Sequence, residues 1–276
     1  MNQAAQGILL ATHLSVRYGD KPPVLKDAVL EVRRGEVLGL IGQSGSGKST
    51  LGLAILALLD RKKVTVEGSL LFDGSDLLNF REKQMRDLRG RKISLVLQSP
   101  LSSLNPALKI RTQLKEAWKA HSSGTSTASN CDQVIRKSLE SVSLPSTDEF
   151  LAKYPSQMSI GQAQRVLIAM AVMHHPALLI ADEATSALDV ITQSEILALF
   201  RQLNQNSGMS ILYISHDLAS VAGICDRVAI LHDGEIVESG ETSRVLTEPQ
   251  HAYTRRLVAS IPKLPVSHTS SRAASV

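Results

Sequence analysis

Cysteine is nearly absent from this chain of 276 residues: Cys131 and Cys225 stand alone and far apart. Two such residues build neither a disulfide framework nor a thiolate metal cluster, so an iron–sulfur centre is not expected. Aromatics are scarce as well, at 3% of residues. The basic clusters Arg61-Lys62-Lys63 and Arg86 to Lys92 therefore lack interleaved rings on which bases could stack. Acidic residues are interspersed and the net charge is only +4, so these clusters read as solvated faces and no nucleic acid is expected. Long apolar runs are also missing. Aliphatic stretches such as Ala54 to Leu59 fall far short of the roughly 20 residues a membrane helix needs. The opening Met1 to Gly7 has neither the positive start nor the apolar block of a secretory signal, which makes the cytoplasm the expected compartment.

What is present is a 43% hydrophobic composition over a length sufficient for one large or two small domains. Within it, Gly42-Gln43-Ser44-Gly45-Ser46-Gly47-Lys48-Ser49 is a complete phosphate-binding loop, followed by Thr50. Its glycines let successive N–H groups turn around phosphate oxygens, Lys48 reaches the terminal phosphates, and the Ser49 hydroxyl suits a magnesium ion. The flanks fit. Val37 to Ile41 predicts a buried strand and Thr50 to Leu59 a buried helix, whose N-terminus would point at the phosphates. A nucleoside triphosphate is the implied ligand.

Two further strand ends carry chemistry. Leu178 to Ala181 is apolar and ends in Asp182-Glu183, placing one carboxylate to hold magnesium and the next to polarise a water. A strand over Met209 to Ile214 runs into Ser215-His216-Asp217, where the imidazole of His216 suits a terminal phosphate or the water. Around these motifs the opening from Leu9 to Val37 reads as strands, as do Gly68 to Phe72 and Ile93 to Leu97. Residues 99 to 165 read as helical, with patterns at Leu114 to His121 and Val134 to Val142 around a polar loop, His121 to Asn130. Strands and helices then alternate from Arg165 to Ile236, consistent with an α/β fold and a largely parallel sheet.

In this order the motifs resemble those of the ATP-binding cassette family, the ATPase subunits of ABC transporters, over residues 8 to 245. Tyr18 matches the aromatic that stacks on adenine, Gly42 to Ser49 the Walker A loop, and Gln98 the Q-loop glutamine. Met158-Ser159-Ile160-Gly161-Gln162 stands where the family's Leu-Ser-Gly-Gly-Gln signature occurs. Asp182 and Glu183 match Walker B, Ser186 to Asp189 the D-loop, and His216 the switch histidine.

The resemblance implies a RecA-like P-loop core, an antiparallel β subdomain and a helical subdomain inserted at about 99–165. It implies ATP and Mg2+ as ligands, the metal held by Ser49, Gln98 and Asp182, and Glu183, His216 and Gln98 as catalytic residues. Ser159, Gly161 and Gln162 would act on the ATP of a second ATPase subunit, identical or not. Two permease subunits, a solute-binding protein and a peripheral place on the cytoplasmic face of the inner membrane are implied as well.

Leu97 to Pro106, Tyr154-Pro155, and His251 to Leu257 followed by Ile261-Pro262 are similar to the peptide and nickel importer branch, making 246–276 a C-terminal extension of that kind, with a mobile tail at Ser267 to Val276. Peptide uptake is the leading expectation, with nickel or another small solute as the alternative. A soluble cassette remodelling nucleic acid or ribosomes would carry two cassettes or a long inserted arm, and a P-loop kinase would lack the signature and His216. Two departures stand out. Ile160 replaces the first signature glycine, which matters only if that position needs positive φ, and Ala184 replaces the usual proline.

Overall fold

The computed structural model describes residues 7–122 and 128–260. The Ser267 to Val276 tail, Ile261-Pro262 and the middle of the His121 to Asn130 loop lie outside the described residues.

Among the described residues, ten strands form two sheets. The first is antiparallel, in the order β2 (Leu25–Arg33), β1 (Ile8–Tyr18), β4 (Val64–Phe72), β5 (Ser75–Asp76). The second runs β10 (Glu235–Glu241), β9 (Arg227–His232), β3 (Val37–Ile41), β8 (Ser210–Ser215), β7 (Leu178–Asp182), β6 (Ile93–Val96). Its pairs are parallel except β9 with β10.

The parallel strands are largely apolar and almost wholly buried because both of their faces are covered. Alternate residues feed different cores, as the twofold period of a strand requires. Leu38 and Leu40 of β3, Leu178 and Ile180 of β7, and Leu212 and Ile214 of β8 join one core. That core also holds Leu10, Leu14 and Val16 of β1 and the helix Lys48–Ile55 through Leu51 and Ile55. The other residues of the same strands, among them Val37, Ile41, Leu179, Ile211 and Tyr213, join a second core formed with the helices.

Helices Ile110–Lys119, Ala128–Ser141 and Ile160–Val172 contribute to this second core. Ile110, Leu114 and Trp118, spaced four apart, make the buried stripe of the first, against Ile135 and Leu139 of the next. Asp148 ties them together: it accepts from Arg111 at 2.6 Å and from Arg136 at 2.5 Å, and these bonds, Arg136's first, hold its carboxyl below the usual range.

Three boundaries differ from the sequence expectation. The helix after the phosphate loop stops at Ile55, not Leu59, because Ala57 takes φ 48 and the N–H groups of Ala57 and Leu58 donate to Ala54 and Leu53, a Schellman-type end. The helix expected at Leu114 begins at Ile110: the β-branched Ile110 and Thr112 weaken its first turn as a local signal, but Ile110 belongs to the buried stripe. The strand expected at Gly68 begins at Val64, because β1 supplies a partner as far as Tyr18.

Candidate functional site

The carboxyl ends of β3, β7 and β8 lie side by side, and each leads directly into one of the chemical motifs. After β3 the chain turns through Gly45 (φ 81) and Gly47 (φ 107) into the helix Lys48–Ile55. Gly47 is the helix cap and has no side chain to bond the free N–H groups, which leaves them facing the loop's interior. The far end of this helix is braced. Arg89, little exposed, donates to the carbonyl of Leu56 at 2.7 Å and of Ala57 at 3.0 Å.

Val24, Ser44, Gly45, Gly47, Lys48, Ser49, Thr50, Gln98 and Glu183 line a polar cavity of about 360 Å³. Lys48 is buried, and its ammonium donates to the carbonyls of Gly42 at 2.7 Å and Gln43 at 2.9 Å. Burial pushes its pKa down, against the pull of Glu183 and Asp182. The Ser49 hydroxyl donates to Asp182 Oδ1 at 3.1 Å. Burial also pushes the Asp182 carboxyl up; the bond from Ser49 opposes this and Glu183's charge reinforces it. Two hard oxygens converge here, the Ser49 hydroxyl from the helix Lys48–Ile55 and the half-buried Asp182 carboxylate at the end of β7. This donor set fits a small divalent cation.

Glu183 follows β7 with φ 47, in the left-handed region where a side chain other than glycine is strained. Its N–H donates to the Ile214 carbonyl at 2.9 Å, so the pairing with β8 continues one residue past β7, up to the bend. The bend brings Oε1 within 3.3 Å of His216 Nδ1, while the His216 ring stays more than half exposed. Behind both residues a buried set of hydroxyls joins the two strand ends. Thr185 Oγ1 and Tyr213 OH are 2.9 Å apart, Tyr213 donates to Ser220 at 3.2 Å, and Ser215 Oγ accepts from the Asp217 N–H. Ala184 is buried beside this set.

The signature residues lie apart from this cavity. Ser159 caps the helix Ile160–Val172, its hydroxyl accepting from the Gln162 N–H while Gln162 Oε1 accepts from the Ser159 N–H. Ile160 is the first helical residue and has a negative φ, so glycine is not required there by backbone conformation. Gly161 is different: a Cβ on it would lie 2.7 Å from Thr192 Cγ2, in the helix Val190–Ser207. Ile160, Val190 and Ile191 all remain well exposed at these helix starts.

The structure thus gathers Lys48, Ser49, Thr50, Gln98, Asp182, Glu183 and His216 at one sheet edge. Tyr18 sits at the end of β1, half-buried, and does not line the cavity; Val24 does. Ser159, Gly161 and Gln162 are outside it. Sequence reasoning missed Arg89, Val24 and Tyr253, whose hydroxyl receives the Gln43 N–H. Val24 and Arg89 belong to no motif read for the site, Arg89 bracing the far end of the helix, and the His251 to Leu257 resemblance gave no sign that Tyr253 meets Gln43 from 210 residues away.

The family model for ABC transporters matches residues 25–186. The dipeptide transport ATP-binding protein DppD of Haemophilus influenzae is 41% identical over 259 residues, spanning 93% of this chain and 78% of that protein. The oligopeptide transport ATP-binding protein OppD of Bacillus subtilis is 39% identical over 90% of this chain and 69% of its own length. Among solved structures, the post-hydrolysis dimer of the cassette MJ0796 bound to ADP and Pi superposes with a TM-score of 0.73 at 27% identity, covering 84% of this chain and 98% of that one. Cassette cbiO1 from Clostridium perfringens gives 0.75 at 25% identity, over 92% and 96%. The chain therefore belongs to the ABC transporter family, among its ATP-binding and ATP-hydrolysing subunits.

Proposed function

We propose that this chain powers an ABC importer for peptides, hydrolysing ATP at a site completed by a second cassette. The observation that carries the reading is the convergence of Lys48, Ser49, Asp182, Glu183 and His216 on one sheet edge, with Glu183 Oε1 3.3 Å from His216 Nδ1. Lys48 and the N–H groups that the loop leaves free hold the triphosphate, and Tyr18 stacks on the adenine. Ser49, Asp182 and Gln98 hold Mg2+, which when bound neutralises charge on the phosphate oxygens. Glu183 accepts a proton from the attacking water, and His216, within reach of Glu183, orients the terminal phosphate. Positioning and charge compensation account for most of the rate enhancement in phosphoryl transfer.

The exposed signature supports pairing. Ser159, Gly161 and Gln162 have no role in their own chain's cavity, and the apolar side chains of Ile160, Val190 and Ile191 beside them are open to solvent. A head-to-tail partner would cover both and bring its own phosphate loop to Ser159. The helices between residues 100 and 172 face the permeases. An apolar groove of about 300 Å³ between β6 and the helix Ile160–Val172, lined by Leu56, Leu97, Leu167 and Met170 among others, supports that assignment. No helix among the described residues is long and apolar enough to cross a membrane, which suits a peripheral place on the cytoplasmic face.

The relatives' names support peptides as the cargo. The test is uptake of a labelled dipeptide and of nickel in cells with and without this chain. Loss of peptide uptake alone supports the proposal; loss of nickel uptake alone, or of neither, refutes it.

A further inference from the structure

The C-terminal segment has no part in the chemistry described so far, yet it touches the phosphate loop. The turn Asp233-Gly234, with φ 49 and φ 86, is a tight type I′-like hairpin joining β9 to β10. A register shift between Ile236 and Glu238 then breaks the pairing of β10. Glu238 uses both carboxylate oxygens to accept the N–H groups of Gln250, at 2.8 Å, and His251, at 2.9 Å. Burial works against that carboxylate, but the bonds from the Gln250 and His251 amides outweigh it, so its carboxyl lies below the ordinary range. The chain is thereby pinned where the helix Ala252–Ala259 starts, and His251 Nδ1 caps it by accepting the Tyr253 N–H at 3.2 Å.

Tyr253 is buried against the phosphate loop. Its ring stacks on His232 with centroids 3.7 Å apart and planes 10° from parallel. Its hydroxyl oxygen accepts the N–H of Gln43 at 3.3 Å. The carbonyl of the same Gln43 accepts the Lys48 ammonium at 2.9 Å. One residue of the loop is thus held at its N–H by the C-terminal helix and at its carbonyl by the lysine that meets the phosphates. Phenylalanine would stack and bury equally well, so packing alone does not explain the hydroxyl; a buried phenol oxygen needs a polar partner, and Gln43 provides it.

We propose that the helix Ala252–Ala259 is a strap on the phosphate loop, and that Tyr253 is a positioning residue which fixes Gln43 and through it Lys48 for the triphosphate. The inference rests on the reading of Gly42 to Ser49 as the ATP-binding loop and deepens it. With the strap engaged, the Gln43 carbonyl stays turned toward Lys48 before ATP arrives. Without the hydroxyl the loop must be ordered when ATP binds, and affinity falls by that amount.

The test uses the full chain in three forms, wild type, Tyr253→Phe and Ile135→Val. ATP affinity, KM, kcat and the nucleotide-free thermal midpoint are measured for each, well below every midpoint. Ile135 is buried in the helical core and lines neither the phosphate cavity nor the cavity shared by Gln43, Tyr253 and Leu257, so its variant destabilises the fold without touching the strap. Tyr253→Phe should weaken ATP binding and raise KM about 3- to 10-fold, the range for losing one hydrogen bond, with kcat within about 2-fold and the midpoint unchanged. Ile135→Val should lower the midpoint and leave ATP affinity intact. Unchanged affinity in Tyr253→Phe overturns the strap, as does an equal loss in Ile135→Val. A wild-type chain that binds no ATP overturns the reading of the loop itself and the strap with it.

Discussion

Glu183→Gln isolates the proposed base. The substitution keeps the volume and shape of the side chain, and glutamine bears φ 47 no worse than glutamate does. Its amide oxygen can still meet His216 Nδ1 at the 3.3 Å that the carboxylate shows. The hydroxyl set behind it, Thr185, Tyr213 and Ser220, is untouched. What disappears is the capacity to take a proton. General-base catalysis contributes about 10²- to 10⁴-fold, or roughly 2.7–5.5 kcal/mol of barrier. Phosphate release in a single turnover should therefore slow by that factor. ATP binding should persist or tighten, because a negative charge beside the phosphates is removed while Lys48 and Ser49 remain. The assay is rapid-quench phosphate release with the second site of the pair inactivated, alongside equilibrium ATP binding. Turnover within about 3-fold of wild type would refute the assignment of Glu183, since a true base cannot be neutralised at so small a cost.

Asp182→Asn should raise the nucleotide-free thermal midpoint at neutral pH and abolish the extra stability conferred by Mg2+ with ATP. Because the folded pKa of Asp182 is raised, the native state holds more protons than the unfolded state between the two values; wild-type stability should rise as pH falls through that window. Melting curves between about pH 4 and pH 7 decide it, and an unchanged pH dependence in the variant refutes the argument. Arg89→Ala removes two bonds from a charged group to the end of the phosphate-loop helix and should cost about 1–3 kcal/mol in urea unfolding; a shift under about 0.5 kcal/mol would show the brace to be redundant. Ile160→Gly should change hydrolysis at the partner's phosphate loop and not at Lys48, measured with each lysine mutated in turn; an effect confined to the Lys48 site contradicts the composite site.

The sheet and its chemical edge were largely legible because a parallel sheet covered on both faces writes itself as short apolar runs, and each run here ends in its functional residue. Helix ends were less legible. Ile55 ends its helix because Ala57 turns left-handed under the Arg89 guanidinium, and Ile110 begins one because Ile135 and Leu139 lie opposite; neither partner is near in sequence. The consequence of Ile160 was also hidden, since a residue name does not state its φ, and here the position is ordinary helix while the next one, Gly161, is the one constrained by Thr192.

By itself the sequence determined the ligand class and the order of the strand ends, because a phosphate loop and a carboxylate-tipped strand are local patterns whose chemistry depends on neighbours along the chain. Tertiary structure alone decided that Asp182 meets Ser49, that Glu183 bends toward His216, and that Tyr253 reaches Gln43 across 210 residues. Those contacts depend on strand register, on a strained turn after β7 and on the docking of a distant helix. They are set by packing over the whole molecule, which no local pattern encodes.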